Sequence, residues 1–179
     1  TPLCERADPR HFRQEGESGQ ELLPGKAWRA VDDLVEEVEQ LRRTATRRAA
    51  VAIPFPEKWR AFLLDRYDHF ERLDPRWRAR FEDDARIFLV EKRITGVGVE
   101  ATDELRLLVA ASAVTLSVGW PEYEWDHLTE VLLYPDDFDR DYAFGGDERS
   151  GEAHPWGTVI LSVPSLLESF EVPDDAYHV

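Results

Sequence analysis

The spacing of apolar residues changes along this chain, and the change limits the class of fold that it can adopt. Through Leu116, apolar side chains recur every three to four positions, which is the period of an amphipathic helix. Further on, the apolar runs "TEVLLYP" and "WGTVILSV" have the length and β-branched content of strands, and a proline stops each of them. Helices followed by strands predict an α+β fold, with N-terminal helices and then a small mixed sheet.

Start signals and apolar spacing predict four helices before these strands and a short one, "PSLLESF", after them. The first covers Lys26 to about Arg48, and "RITGVGVEA" is expected to form a short strand or bend. Asp74 before Pro75, and Thr102 before two acidic residues, are N-cap signals for the third and fourth helices. The second helix is expected to carry one apolar stripe, formed by Trp59, Phe62, Leu63, Tyr67 and Phe70. The fourth is expected to face the core with Leu105, Leu108, Val109, Ser112, Ala113 and Leu116.

The chain is expected to contain one domain. Residues 1–25 are rich in charge, glycine and proline and are predicted to be a tail, and residues 26–179 are predicted to be a single α+β domain. The terminal stretch "EVPDDAYHV" carries a helix start signal, because Asp174 and Asp175 can cap free backbone N–H groups. The domain is therefore expected to continue into a further helix.

The charge of the chain excludes some classes of partner. Its 37 acidic and 22 basic residues give a net charge of -15. Nucleic acids and anionic membranes select basic surfaces, so neither is expected as a partner. No apolar run approaches the roughly 20 residues of a membrane helix, and the first residues lack the apolar core of a signal peptide. We therefore expect a cytoplasmic location.

Three segments together resemble a known family. They are "FLVEKRITGVGVEATDELRLLVAASAVTLSVGW", "EVLLYPDDF" and "GTVILSVPSLLESF". In order and character they resemble the N-terminal two-thirds of the Mlc titration factor family of zinc-dependent peptidases. The resemblance covers about Ile53 to Val179, and "LLYPDDF" and "TVILS" are its most specific parts.

The resemblance implies a function for a longer protein. Family members continue into an HExxH helix, whose two histidines hold zinc while the glutamate acts as general base on metal-bound water. The five histidines of this chain include no pair four residues apart, so the zinc ligands are not in it and the chain alone is expected to be inactive. The implied partners are a peptide or protein substrate and a transcriptional regulator. By position, Gly157, Thr158, Val159, Ile160, Leu161 and Ser162 would form the edge strand that binds substrate, or else a buried structural strand.

Other candidate side chains have a structural interpretation beside the functional one. His127 and Glu130 are three residues apart and could share a metal, or could simply lie where a helix end enters a strand. His178 could reach an active site or pack beside it. Tyr134 and Trp156 are expected to be core aromatics rather than substrate contacts.

The acidic connection between the two strand-type runs contains a weak calcium pattern. Asp137, Asp139, Asp141 and Glu148 occupy positions 1, 3, 5 and 12 of an EF-hand-like loop, but Tyr142 stands where that loop has glycine. A mobile, metal-free loop is therefore expected. The leading hypothesis is the N-terminal part of a zinc metallopeptidase. The alternatives are an inactive module that binds a transcriptional regulator, and a calcium-binding or structural domain.

Overall fold

The computed structural model describes residues 25–121, 123, 125–144 and 149–171. Helices precede a four-stranded mixed sheet, which confirms the predicted α+β class. The helices are α1 Gly25–Ala52, α2 Glu57–Arg66, α3 Asp68–Arg72, α4 Pro75–Glu91, α5 Asp103–Ser117 and α6 Val163–Glu171. The strands are β1 Arg93–Gly96, β2 Glu130–Tyr134, β3 Gly151–His154 and β4 Thr158–Ser162. The predicted tail and the predicted helix start at Asp174 and Asp175 fall almost entirely outside the described residues.

The chain divides into two compact units, Thr1–Gln40 and Leu41–Val179, and the boundary lies within α1. The described part of the first unit is the N-terminal half of α1. Its large apolar side chains, such as Leu34 and Val35, are exposed. The second unit contains the rest of α1, the other five helices and the whole sheet. No described helix is both long and apolar enough to cross a membrane.

The predicted N-caps are confirmed. The Asp74 carboxylate accepts hydrogen bonds from the backbone N–H groups of Arg76 and Trp77, and Pro75 occupies the first turn of α4. The Thr102 side chain accepts from the N–H of Leu105 and starts α5. These short side chains satisfy N–H groups that have no partner inside the helix, so a local sequence signal sets each helix start.

Two helical predictions were wrong in detail. The second helix does not run through its apolar stripe, because Tyr67 adopts an extended conformation (φ -136°, ψ 91°) that separates α2 from α3. The break turns the Tyr67 ring into the core, where it lies 4.7 Å from the ring of Phe170 and its hydroxyl is 2.5 Å from the Thr115 hydroxyl oxygen. Leu116, predicted to face the core, is exposed near the end of α5.

The sheet has the strand order β1-β2-β4-β3. β1, β2 and β4 are parallel, and β3 pairs with β4 in the antiparallel sense. β3 lies inside the acidic connection and was not predicted. Its presence makes β4 an interior strand, with β2 on one side and β3 on the other. Of the two interpretations given for "GTVILS", the edge strand is therefore wrong, and the structural strand inside the sheet is the one observed.

The two faces of the sheet have different surroundings. Ile94, Val131, Leu133 and Leu161 belong to one apolar core with the largest buried side chains of α3, α4 and α5, among them Phe70, Phe81, Phe88 and Leu107. Because side chains alternate along a strand, Glu130, Leu132 and Tyr134 of β2 lie on the opposite face, where they are only half-buried. We call this second face the outer face.

Candidate functional site

Strand β3 presents a backbone edge that the described residues do not pair. The backbone N–H of Ser162 donates to the carbonyl of Ser150, 2.8 Å away, so this opposed pair is hydrogen-bonded. Hydrogen-bonded and non-hydrogen-bonded pairs alternate along an antiparallel ladder. Gly151 and Ala153 therefore direct their N–H and C=O groups away from β4, where they are available to an added strand.

A tight hairpin sets the position of β3 against β4. Pro155, Trp156 and Gly157 form a three-residue loop, and Gly157 has a left-handed φ of 89° at its third position. This is the arrangement in which hairpins of this length favour glycine. A side-chain carbon at Gly157 would also lie 2.3 Å from the carbonyl oxygen of His127.

Gly157 also joins the hairpin to the segment before β2. Its carbonyl accepts from the N–H of Thr129 at 2.8 Å and of Glu130 at 3.2 Å. Gly157, predicted as a substrate contact, is thus placed as a turn residue by its backbone conformation. The substrate role predicted for Gly157–Ser162 required a free edge, which β4 lacks.

A groove on the outer face borders β3. It has a volume of about 340 Å³. Its lining comes from β2, β3, β4 and the two loops that flank β3: Glu130, Leu132, Tyr134, Tyr142, His154, Trp156, Thr158 and Ile160. Tyr134 and Trp156, which we expected in the core, both line this groove, and Trp156 is 69% exposed.

The described part of the acidic connection contains a hydrogen-bonded turn at residues 139–143, and the mobility expected of the loop stays a prediction. The Asp139 carboxylate accepts from the N–H groups of Asp141 and Ala143, and the Asp137 carboxylate accepts from the Ser165 hydroxyl at 2.9 Å. Tyr142 adopts φ 61°, the conformation for which the calcium loop uses glycine. Two of the four predicted calcium ligands thus have protein donors, and Glu148 lies outside the described residues. Asp137, Asp139 and Asp141 are not gathered into a metal site in the described structure.

No set of three histidine, cysteine or acidic side chains that could hold a metal occurs within the described ranges. His127 lies in a turn and Glu130 begins β2, so they do not share a helix face. The Glu130 carboxylate accepts instead from the Thr95 hydroxyl, 3.1 Å away on β1. His178 lies outside the described residues.

A network of partly buried charges holds the end of α1 against α4. Arg47 donates from Nε to Glu91 Oε1 at 2.6 Å and from Nη2 to Glu91 Oε2 at 3.2 Å, and it also pairs with Asp126. These hydrogen bonds, chiefly those to Glu91, raise the pKa of Arg47 above its ordinary value. Lys92 donates to the carbonyl of Trp125 at 2.5 Å, and burial lowers the pKa of its ammonium group. All of these groups have protein partners, and their contacts link α1, α4 and the segment before β2.

Sequence reasoning missed β3 because "GEAH" is short and polar, without the β-branched content of a strand. The signal that could have found it is the hairpin loop "PWG", in which proline and glycine stand at positions that suit a three-residue turn. Because a hairpin loop joins two paired strands, recognising this loop would have predicted a strand immediately before it, paired with β4.

Comparison with known proteins identifies the family. Residues 39–179 match the model of the glucose-regulated metallo-peptidase M90 family. An uncharacterized protein of Synechocystis sp. is 35% identical over 86 residues, which are 48% of this chain and 31% of that protein. The matched part of this chain thus spans about a third of that relative's length. No solved structure matches. Since the family model covers well over half of the chain, this protein belongs to the M90 family of glucose-regulated metallopeptidases.

Proposed function

We propose that this chain is the N-terminal part of a zinc-dependent metallopeptidase and that β3 binds the substrate backbone. The observation that supports the proposal is that no described residue pairs with the outward side of β3, in a chain of a metallopeptidase family. An extended peptide can add to such an edge through main-chain hydrogen bonds. The role first predicted for "GTVILS" is thus reassigned to Gly151 and Ala153.

The described residues do not fit a catalytic metal, because they contain no set of three ligands. We therefore assign no step of hydrolysis to them. In the proposed enzyme, the zinc ligands lie in an HExxH helix that follows Val179. The task of this chain is to hold an extended substrate beside that helix. A transcriptional regulator as partner stays a prediction from the family resemblance.

Removing one outward N–H from β3 tests this role. Ala153→Pro in the complete protein deletes that donor while leaving the β4 side of the strand unchanged, since proline is tolerated at a sheet edge. The loss of one hydrogen bond, about 1.4 kcal/mol, is expected to lower kcat/KM for a peptide substrate roughly tenfold. Ala153→Ser keeps the N–H and is the matched control, with activity expected near that of the parent.

Thermal unfolding of both variants accompanies the kinetics. An Ala153→Pro protein that is folded and fully active would contradict substrate addition at β3. A complete protein with no chelator-sensitive peptidase activity would contradict the peptidase assignment itself. The two outcomes can be distinguished, because the activity of Ala153→Pro can be compared with that of the parent only if the parent is an active peptidase.

A further inference from the structure

We propose that the groove on the outer face binds a basic side chain, arginine in preference to lysine, on an extended peptide segment of a protein partner. The groove faces away from α4 and α5, since its β2 residues alternate with Val131 and Leu133 of the core. The inference concerns binding, and it does not depend on peptidase activity.

The lining of the groove has the composition of a cation-binding site. Three aromatic residues, Tyr134, Tyr142 and Trp156, combine with the single carboxylate of Glu130. None of the eight lining residues is lysine or arginine. Aromatic faces attract a desolvated cation through the quadrupole of the ring, and tryptophan does so best.

Trp156 is the exposed anchor of this groove. It lies at the tip of the β3–β4 hairpin with 69% of its surface exposed, and its indole is stacked on the His154 ring at 4.4 Å and 14°. The stack fixes the orientation of the indole before any partner arrives. Exposed, pre-oriented tryptophans are typical of residues that dominate the affinity of an interface.

Tyr142 is held toward the groove by an unusual backbone. Of the described non-glycine residues, only Tyr142 has a positive φ. Asp139 supports that conformation through the N–H groups on either side of Tyr142. The Tyr142 ring is stacked on Phe138 at 5.9 Å, and its hydroxyl is 3.4 Å from His154 Nε2. A strained conformation that the surroundings enforce is a sign of a positioned functional side chain.

Glu130 supplies the charge that selects a cation. Its carboxylate accepts from the Thr95 hydroxyl, and within the described ranges it forms an ion pair with Arg93, 4.0 Å away on a side chain that is 78% exposed. So loose a surface pair leaves the carboxylate able to bind an incoming guanidinium. Arginine suits the site better than lysine because its planar group both stacks on aromatic rings and donates in pairs to carboxylates. The net charge of -15 favours the approach of a basic partner.

Calorimetric titration with two matched peptides tests the proposal on the 179-residue chain. The probe is an extended, serine- and threonine-rich hexapeptide with one central arginine, and the control peptide has neutral citrulline at that place. We expect the arginine peptide to bind at least tenfold more tightly than the citrulline peptide. Replacing arginine by lysine should weaken binding severalfold.

Variants locate the binding site. Trp156→Ala and Glu130→Gln should each weaken binding about tenfold. Tyr142→Gly should also weaken it while keeping the turn, since glycine adopts a φ of 61° without strain. Trp120→Ala removes a tryptophan that is 50% exposed and lies outside the groove, and it should leave affinity unchanged. Circular dichroism confirms that each variant is folded.

Three outcomes would overturn the proposal. They are no binding at about 1 mM peptide, equal affinity for the arginine and citrulline peptides, and equal losses in Trp156→Ala and Trp120→Ala. A folded Tyr142→Gly variant with unchanged affinity would also contradict the proposal, because the proposed site includes the Tyr142 ring.

Discussion

Two tyrosines of the second unit show how a buried hydroxyl can either stabilise or destabilise a fold. The Tyr67 hydroxyl donates to Thr115, whose own proton is directed to the carbonyl of Ala111. The Tyr123 hydroxyl is buried and has no hydrogen-bond partner among the described residues, although its ring lies under the Arg47 guanidinium at 4.7 Å. Burial raises the pKa of both phenols.

We predict different effects on stability of removing the two hydroxyls. Tyr67→Phe should lower the free energy of unfolding at pH 7 by about 1 kcal/mol, since it deletes a satisfied hydrogen bond. Tyr123→Phe should leave that free energy unchanged or raise it, because it removes a polar atom that was desolvated without compensation. Urea denaturation at pH 7 measures both values. Equal losses in the two variants would contradict the assignment of partners.

The alkaline behaviour of Tyr67→Phe provides a second measurement. A tyrosine whose folded pKa is raised contributes stability that is fully present below the unfolded pKa of about 10 and is lost as the pH rises above it. The difference in stability between the parent and Tyr67→Phe should therefore shrink between pH 8 and pH 11. Lys92 has a lowered pKa, so it increases the stability of the folded protein as the pH rises. This contribution is the same in the parent and in Tyr67→Phe, and it cancels when their stabilities are subtracted. A constant difference would contradict the burial effect at Tyr67.

At the scale of elements, α1 is joined to α4 by charge. Arg47 is only 26% exposed and Glu91 11%, and they form two hydrogen bonds in a fork. Exposed ion pairs usually contribute little, but low exposure and paired bonds strengthen the interaction. The end of α1 should therefore depend on this pair for its attachment.

A double-mutant cycle with Arg47→Met and Glu91→Gln should give a coupling energy of about 1 kcal/mol or more, measured by thermal or urea unfolding. The pair Lys58 and Asp103 is the matched control. Its charges are 3.8 Å apart on side chains that are 72% and 75% exposed, so its coupling should be near zero. Similar coupling in the two cycles would show that the buried pair does not hold α1.

The elements that the sequence predicts are those with a local cause. Asp74 and Thr102 start α4 and α5 through their own side chains, so their roles could be read from a few neighbouring residues. The extended backbone of Tyr67 serves contacts with Thr115 and Phe170, which lie far along the chain, and no local signal shows it. The polar strand β3 depends in the same way on its pairing with β4. The substrate-binding edge was therefore predicted at β4, whereas the outer strand of the sheet is β3. The "GTVILS" segment itself was correctly predicted as a strand.

At the scale of the whole molecule, the unit boundary and the family match nearly coincide. The second unit begins at Leu41, and the family model begins at residue 39. The resemblance drawn from the sequence began only at about Ile53, so the family includes more of α1 than the quoted motifs indicated. The N-terminal half of α1, with its exposed apolar side chains, is almost entirely outside the match.

We predict that the 179-residue chain alone does not hydrolyse peptides in a zinc-dependent manner. A catalytic zinc usually has three protein ligands, and the described part of the chain offers no such set. Incubation with zinc and a chromogenic peptide, with and without chelator, measures this. Chelator-sensitive turnover would contradict the prediction. A version that extends into the proposed HExxH helix is the positive control.

The sheet order also has a consequence for how the protein folds. The β3–β4 hairpin closes across a loop of three residues, a step that takes microseconds. β1 and β2 are separated by α5 and the segment that follows it, so they can pair only after this long connection has folded back. Parallel pairing between distant segments is intrinsically slow, because loop-closure entropy is lost before the contacts form. The hairpin is thus expected to exist early, as a template onto which β2 and then β1 assemble. Until β2 arrives, β4 is itself an unprotected strand edge, so the unfinished sheet is the stage at which newly made chains are most open to aggregation.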